Sequence, residues 1–106
     1  MFFIDKDIEK ANLDEKSERK VLAHDEEMML CHLYFKTGGI GKKHTHPHTQ
    51  ICYILKGRFE FDLDGDTRVI SAGDSVYIPS GVEHGLVCLE TGELLDIFTP
   101  ERKDFL

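Results

Sequence analysis

The residues with the clearest chemical potential lie in a short stretch near the middle of the chain, where three histidines and a glutamine fall within seven positions. His44 and His46 are separated by one residue, so on an extended strand both side chains point to the same face. Gln50 can add an oxygen ligand, and His84 can be a fourth donor if the fold brings it across. Three neutral nitrogens and one neutral oxygen suit one divalent transition metal ion per chain: zinc, iron, nickel, manganese or copper.

Three neighbours of this cluster have less certain roles. His48 lies two residues beyond His46, but Pro47 interrupts a regular strand between them. His48 could therefore be a hydrogen-bond partner of a ligand, an alternative ligand or an acid in a pocket. Lys42 and Lys43 could steer an anion towards the site, or they could be solvated loop charges.

Length and charge limit the class of protein. With 106 residues and a formal net charge of −7, the chain is long enough for one domain, residues 1–106, and too short for two. The acidic balance argues against a nucleic-acid partner, because the chain has no basic patch larger than a pair such as Lys42 and Lys43. No apolar run is long enough for a signal peptide or a membrane span, so we expect a cytoplasmic protein with no membrane partner.

The three cysteines and the two remaining histidines have structural explanations. The chain has three cysteines, an odd number without a closely spaced pair, and each lies in an apolar run. We predict that Cys31, Cys52 and Cys88 are reduced and buried in the core. His24 and His32 lie in strand-like runs, and we interpret both as structural or surface histidines.

Residues 1–18 form a predicted N-terminal extension. Phe2, Phe3 and Ile4 make an apolar patch that needs cover, either from the chain itself or from a second subunit, and we predict a homodimer. The charged stretch from Asp5 to Lys20 shows little periodicity, which indicates a loop or a single helical turn.

Short apolar runs separated by turn residues predict an all-β fold, either a sandwich or a closed barrel over residues 19–98, followed by a tail at residues 99–106. Lys56–Gly57, Asp64–Gly65 and Thr91–Gly92 are predicted turns, and an Asp-Gly pair is a strong signal for a two-residue hairpin. The predicted strands occupy residues 19–25, 28–38, 50–57, 58–65, 67–73, 75–81, 85–92 and 93–100.

Two motifs in this pattern resemble those of the cupin family. Every spacing of the first motif fits, with a glutamine in place of the usual glutamate, and the second departs only at its last position, where a cysteine replaces asparagine. The first motif comprises Gly38, His44, His46, Gln50 and Gly57, and the second comprises Gly73, Pro79, Gly81, His84 and Cys88.

The resemblance implies a single-domain jelly-roll barrel of two antiparallel sheets with a metal in its mouth. It carries the ligand role to His44, His46 and His84, with Gln50 at the place of the usual acid. An amide leaves the charge of the metal uncompensated by its protein ligands. That charge favours Lewis-acid chemistry on an anionic or carbonyl substrate.

A narrower resemblance covers nearly the whole chain. The histidine-rich run and the ending are similar to those of the KdgF-type cupins of uronate metabolism. This resemblance implies ring opening and ketonisation of 4,5-unsaturated monouronates from pectin or alginate, so the implied partner is a small anionic sugar acid. The matching positions of the ending are Asp96, Phe98, Pro100, Arg102, Asp104, Phe105 and Leu106.

The same resemblance places Asp96 in proton transfer and Arg102 on the substrate carboxylate, which a planar guanidinium can grip with two parallel hydrogen bonds. Phe98 would share a strand face with Asp96 and wall the pocket. Alternatively, Phe98 is a core residue, Asp96 faces solvent on an edge strand and Arg102 is a surface charge. Tyr53 and Tyr77 could offer a hydroxyl to the cavity or be half-buried core residues.

Two further functions remain open at this level. In an iron-dependent cupin dioxygenase the same histidines would hold iron, and the reaction would consume oxygen. In a non-catalytic module the cavity would bind a sugar without converting it.

Overall fold

The computed structural model describes all 106 residues and confirms an all-β fold. Its only helical segments are two 3-10 turns of three residues, and no helix is long and apolar enough to cross a membrane. The strands are β1 (Ala11–Asp14), β2 (Ser17–His24), β3 (Met29–Phe35), β4 (Ile40–His44), β5 (Thr49–Leu63), β6 (Asp66–Ser71), β7 (Ser75–Ile78) and β8 (His84–Thr99), and the 3-10 turns span Asp5–Asp7 and Lys103–Phe105.

Two long strands, β5 and β8, pair antiparallel along their whole length and organise two layers. The first layer has the order β1, β2, β3, the C-terminal half of β8, the N-terminal half of β5, and β7. The second has the order β4, the N-terminal half of β8, the C-terminal half of β5, and β6. This is the predicted jelly roll of antiparallel sheets, but β1 and β6 do not pair, so the sheet does not close into a full barrel.

The turns predicted at Lys56–Gly57 and Thr91–Gly92 are wrong, because both segments continue through as strand and change layer there. A Cβ added to Gly57 would lie 2.6 Å from the carbonyl oxygen of Glu90 and 2.7 Å from the Cα of Gly92. Gly57 also has a φ of 84°. The two glycines therefore allow two backbones to approach closely at a bend. Glycine is also the typical residue of a turn, so the sequence does not distinguish the two cases.

The hairpin predicted at Asp64–Gly65 is confirmed. Asp64 and Gly65 have φ values of 52° and 84°, as a two-residue turn with two left-handed positions requires. Leu63 and Asp66 pair directly on either side of the turn. Local sequence sufficed here because the turn depends on two adjacent residues only.

The loop predicted before residue 19 is only partly correct. The turn at Asp5–Asp7 matches the single helical turn, but β1 and the start of β2 form a hairpin in which Ala11 pairs with Arg19. All four residues of β1 are exposed, so its short alternation of apolar and polar residues does not mark a buried face by which to recognise the strand.

The interior between the layers is apolar at one end. The three cysteines are buried and unpaired, which confirms their assignment to the core. At the other end the inward-facing residues become polar, and this end contains the candidate site. The apolar core comprises Phe35, Cys52, Ile54, Phe59, Phe61, Ile78, Cys88 and Leu94.

Candidate functional site

The three histidines predicted as ligands lie together at the polar end of the interior. His44 ends β4 and lies opposite His84, the first residue of β8, while His46 belongs to the segment that leads into β5. One ligand atom from each of the three lies within 4.8 Å of the others. These three residues form a group that could bind a metal ion.

Each of these rings is oriented by a backbone carbonyl. In every case the Nδ1–H group donates to a carbonyl two residues away, which leaves the Nε2 lone pair of a neutral ring free to act as a ligand. The three bonds run from His44 to Lys42 at 2.7 Å, from His46 to His48 at 3.0 Å and from His84 to Val82 at 2.9 Å.

His46 and His84 favour the neutral form, which suits binding of a cation. Burial lowers the pKa of His84 and of His46, which favours the neutral rings. The Nε2 atom of His84 is buried and has no hydrogen-bond partner. A buried polar atom without a partner is costly, so a group that accepts this lone pair would satisfy the site.

Gln50 completes the donor set through its amide oxygen. Its Oε1 atom lies 2.9 Å from Nε2 of His46, while its amide N–H donates to Oδ1 of Asp96 at 2.8 Å. His46 uses its Nδ1–H on the His48 carbonyl, so Nε2 of the neutral ring carries a lone pair. Oε1 of Gln50 also carries lone pairs, so a cation bound by both atoms would satisfy them. Three nitrogens and one amide oxygen fit a divalent transition metal ion.

His48 lies outside the three-histidine group. Its ring Nε2–H donates to the carbonyl of Glu101 at 3.1 Å, and its own carbonyl accepts from His46. Of the three roles considered for His48, hydrogen bonding to a ligand is the one these contacts support. The backbone of His48 therefore orients His46, while its side chain holds the C-terminal tail.

A cavity of about 190 Å³ adjoins the histidines. Its lining includes every predicted site residue except His46. His46 contacts Gln50 and His84 but does not itself line the cavity. The polar lining residues are His44, Gln50, His84, Asp96 and Arg102, and the apolar ones include Leu33, Phe35, Phe61, Leu86, Leu94, Phe98 and Phe105.

Asp96 is buried and faces inward on β8, which is a central strand, so the alternative of a solvent-facing edge residue is wrong. Burial raises the pKa of this carboxyl to about 6, although hydrogen bonds from Gln50 and Cys52 and the charge of Arg102 act in the opposite direction. A carboxyl group with this pKa can both donate and accept a proton near neutral pH.

Arg102 is also buried, with a side chain only 11% exposed, so it is not a surface charge. Its Nε and Nη2 atoms donate to the two carboxylate oxygens of Asp104 at 3.1 and 2.9 Å. The guanidinium carbon lies 5.1 Å from the ring centre of Phe98 and 4.3 Å from that of Phe105. Phe98 is 2% exposed, and it both lines the cavity and belongs to a small core cluster.

Other predicted contributors lie elsewhere. Tyr53 and Tyr77 are 41% and 61% exposed and face outward, so neither offers its hydroxyl to the cavity and neither is a half-buried core residue. Lys43 pairs with Asp62 at 3.6 Å and Lys42 is exposed, as expected of solvated charges. His32 forms a contact with Glu93 at 2.8 Å, away from the three-histidine group.

Two residues near the cavity received no role from the sequence. Phe105 lines it, and the guanidinium carbon of Arg19 lies 3.7 Å from the centre of the Phe105 ring. The signal for Arg19 was its place in strand alternation, since it lies two residues before the inward-packed Val21. Phe105 has no such signal, because it comes from a 3-10 turn in the tail.

The cavity thus has two distinct sides. We call His44, His46, Gln50 and His84 the histidine wall. Phe98, Arg102 and Phe105 form the tail wall. Asp96 lies between them and bonds to Gln50 on one side.

Comparison with known proteins decides the family. A family model described as a cupin domain matches residues 31–98. The chain belongs to the cupin family. This membership accounts for the two-layered jelly roll and for the position of the histidines in its open end.

This cupin is also similar to several proteins over nearly the whole length of both chains. The pectin degradation protein KdgF of Dickeya dadantii is 36% identical over 99% of this chain and 97% of its own length. The structure of KdgF from a Halomonas species is 35% identical, with a TM-score of 0.95 over 100% of this chain and 98% of that one. An RmlC-like cupin from Shewanella frigidimarina is 35% identical, with a TM-score of 0.96 over 99% and 95% of the two chains.

Proposed function

We propose that this cupin opens the ring of a 4,5-unsaturated monouronate and converts it into the linear keto sugar acid. The observation that carries the proposal is the placement of a buried carboxyl, Asp96, between the histidine wall and the tail wall of one cavity. Similarity to two KdgF proteins over nearly the whole chain supports it, because one of them is a pectin degradation protein.

The proposed reaction is an isomerisation and needs no oxidant. The bond between C1 and the ring oxygen breaks, the C1 hydroxyl loses its proton, and C1 becomes an aldehyde. The ring oxygen remains on C5 as an enol. The enol then loses its hydroxyl proton while C4 gains one, which leaves a ketone at C5.

The histidine wall would hold the metal through His44, His46, Gln50 and His84. When bound, a divalent ion supplies Lewis acidity that polarises substrate oxygens. These four ligands are neutral, so they leave the charge of the ion available to an anionic substrate. The backbone carbonyls behind the three rings keep the ligand atoms in place before an ion arrives.

Asp96 would move protons. In its protonated form it can deliver a proton to C4, and in its ionised form it can accept one from a substrate hydroxyl. Gln50 fixes the carboxyl through Oδ1, so the group has a defined orientation in the cavity. The buried surroundings keep both forms accessible near neutral pH.

The tail wall would bind and orient the substrate. Arg102 lines the cavity, so the N–H groups that it does not use on Asp104 can donate to the substrate carboxylate. Phe98 presents an apolar surface beside Asp96 on the same strand face. Together these residues would hold the double bond near the carboxyl group of Asp96.

The decisive experiment uses metal-loaded protein and freshly prepared 4,5-unsaturated galacturonate. We expect the absorbance of the conjugated double bond to fall faster than the spontaneous rate, a chelator to abolish the acceleration, and an oxygen electrode to record no uptake. Absence of acceleration in protein with verified metal content would contradict the proposal. Oxygen uptake would favour a dioxygenase, and binding without turnover would favour a sugar-binding module.

We also propose that two copies associate through apolar surface near the N terminus and on the outer face of the first layer. Met1 and Phe2 are 98% and 95% exposed, and the cross-strand pair Ile51 and Tyr77 is 41% and 61% exposed. Burial of exposed apolar groups of this size against a second copy lowers the free energy of the assembly.

Light scattering after size-exclusion chromatography tests the association. We expect a dimer for the wild type and a monomer for Tyr77→Glu, since burial of an unpaired charge at the interface is costly. Val69→Glu is the matched control, because Val69 is 53% exposed but lies in the other layer. A monomeric wild type, or a dimer in Tyr77→Glu, would contradict the proposal.

A further inference from the structure

Arg19 is a charged residue that faces the interior of the fold. On β2 it pairs with Leu33 of β3, and Leu33 pairs in turn with Leu94 of β8. Residues opposite each other in neighbouring strands point to the same face of a sheet. Leu33 and Leu94 both line the cavity, and Arg19, which is not itself a lining residue, continues the same inward-facing row beyond them.

The side chain of Arg19 reaches the tail wall. Its guanidinium carbon lies 3.7 Å from the centre of the Phe105 ring, and that of Arg102 lies 4.3 Å from the same centre. Two guanidinium groups therefore contact one ring that lines the cavity. Their proximity is also felt electrostatically: burial lowers the pKa of Arg19, the charge of Asp104 opposes this shift, and the charge of Arg102 adds to it.

Arg19 lacks the partner that comparable cations have. Lys20, its buried neighbour, pairs with Asp5 at 2.9 Å, and Arg102 forms two bonds with Asp104. Arg19 forms no ion pair, and its buried Nε atom has no hydrogen-bond partner. A half-buried guanidinium without a carboxylate is costly, so an anion from outside the chain would be stabilised there.

The charge balance of the tail wall leads to the same conclusion. Arg102 and Asp104 neutralise each other, and the side-on edge of the Arg102 guanidinium, Nε and Nη2, is already occupied. The excess positive charge on this side of the cavity is therefore that of Arg19. In a chain with a net charge of −7, a local excess of this kind is suited to attract an anionic ligand.

We propose that Arg19 is a specificity-determining residue, which joins Arg102 in binding the carboxylate of a sugar acid at the tail wall. The substrate class rests on the function proposed above, but the anion preference rests on the contacts of Arg19 itself. Arg19 would supply a guanidinium whose N–H groups have no protein partner, next to the same Phe105 ring that Arg102 contacts.

The test measures binding of a saturated acid, D-galacturonate, against its neutral counterpart, D-galactose, by calorimetry. We expect Arg19→Gln to weaken galacturonate binding about 10- to 100-fold and to leave galactose binding unchanged, because a hydrogen bond to a charged group contributes about 1.5–3 kcal/mol. With the unsaturated uronate, KM should rise while kcat stays near the wild-type value. Arg68→Gln is the control, since Arg68 has the same charge but is exposed on β6 and pairs with Asp66.

A variant that retains more of the side chain covers the case in which Arg19→Gln does not fold. Arg19→Lys keeps the charge and the aliphatic stem over Phe105 but loses the planar fork, and we expect it to bind galacturonate several-fold more weakly. Unchanged galacturonate binding in either folded variant would overturn the proposal. An equal loss for both sugars, or a wild type without preference for the acid, would also overturn it.

These outcomes separate the two proposals. If the wild type prefers galacturonate and Arg19→Gln removes the preference, the role of Arg19 stands even when the unsaturated uronate is not converted. If conversion occurs but the preference does not depend on Arg19, the proposed function stands and the role of Arg19 fails.

Discussion

The two walls of the cavity are built by different means. In the histidine wall, each of the three rings is oriented by a backbone carbonyl two residues away. In the tail wall, Arg102 is held by the side chain of Asp104 and by two aromatic rings. Backbone carbonyls are present whatever the side chain, so substitutions near the histidine wall should leave its geometry intact, whereas each substitution in the tail wall removes part of its support.

The residues suited to the reaction and the residues suited to substrate recognition therefore lie on different sides of one cavity. The histidine wall offers neutral donors that could hold a metal ion, and the tail wall offers a guanidinium and aromatic surface that could bind an anion. If the separation is real, variants of one wall should change metal content and variants of the other should change substrate affinity. The following substitutions test that division, from the largest expected effect to the smallest.

Replacing His84 should have the largest effect. His84→Ala removes the ligand whose buried Nε2 has no other partner, so metal affinity should fall by at least about 100-fold and turnover with it. Elemental analysis after dialysis measures the loss. His32→Ala is the control, because His32 lies on the outer face beside Glu93 and should leave the metal content unchanged. Full metal retention in His84→Ala would remove the histidine wall as a metal site.

Replacing Asp96 should affect the chemical step alone. In Asp96→Asn the amide oxygen can still accept the Gln50 N–H, so the ligand stays oriented while the proton donor is lost. We expect kcat to fall by about 10² to 10⁴ with metal content unchanged. Steady-state kinetics with the unsaturated uronate, together with metal analysis, test this expectation. A variant with near-wild-type kcat would assign proton transfer to another group.

Replacing Arg102 should weaken binding without loss of metal. Arg102→Ala removes a charged donor to the substrate carboxylate, so KM should rise about 10- to 100-fold. Kinetics and metal analysis on the same preparation measure both quantities. Arg58→Ala is a suitable control, since Arg58 pairs with Glu90 and is half exposed. If Arg102→Ala lost its metal instead, the two walls would not be independent.

His48 belongs to neither wall but connects the histidine wall to the C-terminal tail, and it gives the sharpest test. Its carbonyl serves His46, and its ring serves the tail through Glu101. His48→Ala keeps the carbonyl and loses only the ring, so metal content should be unchanged while KM rises about 2- to 10-fold, the effect of one neutral hydrogen bond. Loss of metal in this variant would instead support His48 as an alternative ligand.

The histidine wall and most of the strands could be predicted because their signals are local. The close spacing of His44 and His46 brings both rings into one group, although β4 ends at His44 and His46 lies in the segment that follows, and the Asp64–Gly65 pair specifies its own turn. Asp96 and Arg102 were singled out only through family resemblance. The burial of Asp96 depends on β8 being a central strand, and that of Arg102 depends on the tail packing beside the cavity, neither of which a local pattern encodes.

The errors have equally physical causes. Gly57 and Gly92 were interpreted as turns, because a glycine that lets two backbones approach has the same sequence signature as a glycine in a turn. The N-terminal hairpin was missed because β1 is exposed on both faces. Arg19 and Phe105 meet through tertiary contacts between opposite ends of the chain, so neither could be assigned to the cavity from spacing.

Because the sheet does not close, its outermost strands present free backbone groups that could pair with another chain. Their sequences oppose such growth: β1 has four residues and ends at Asp14, and β6 carries Asp66 and Arg68, both exposed. Short length and charge protect sheet edges from fibre formation. These edges therefore oppose open-ended stacking of this cupin, whereas the association proposed at the apolar face around Ile51 would end at two copies.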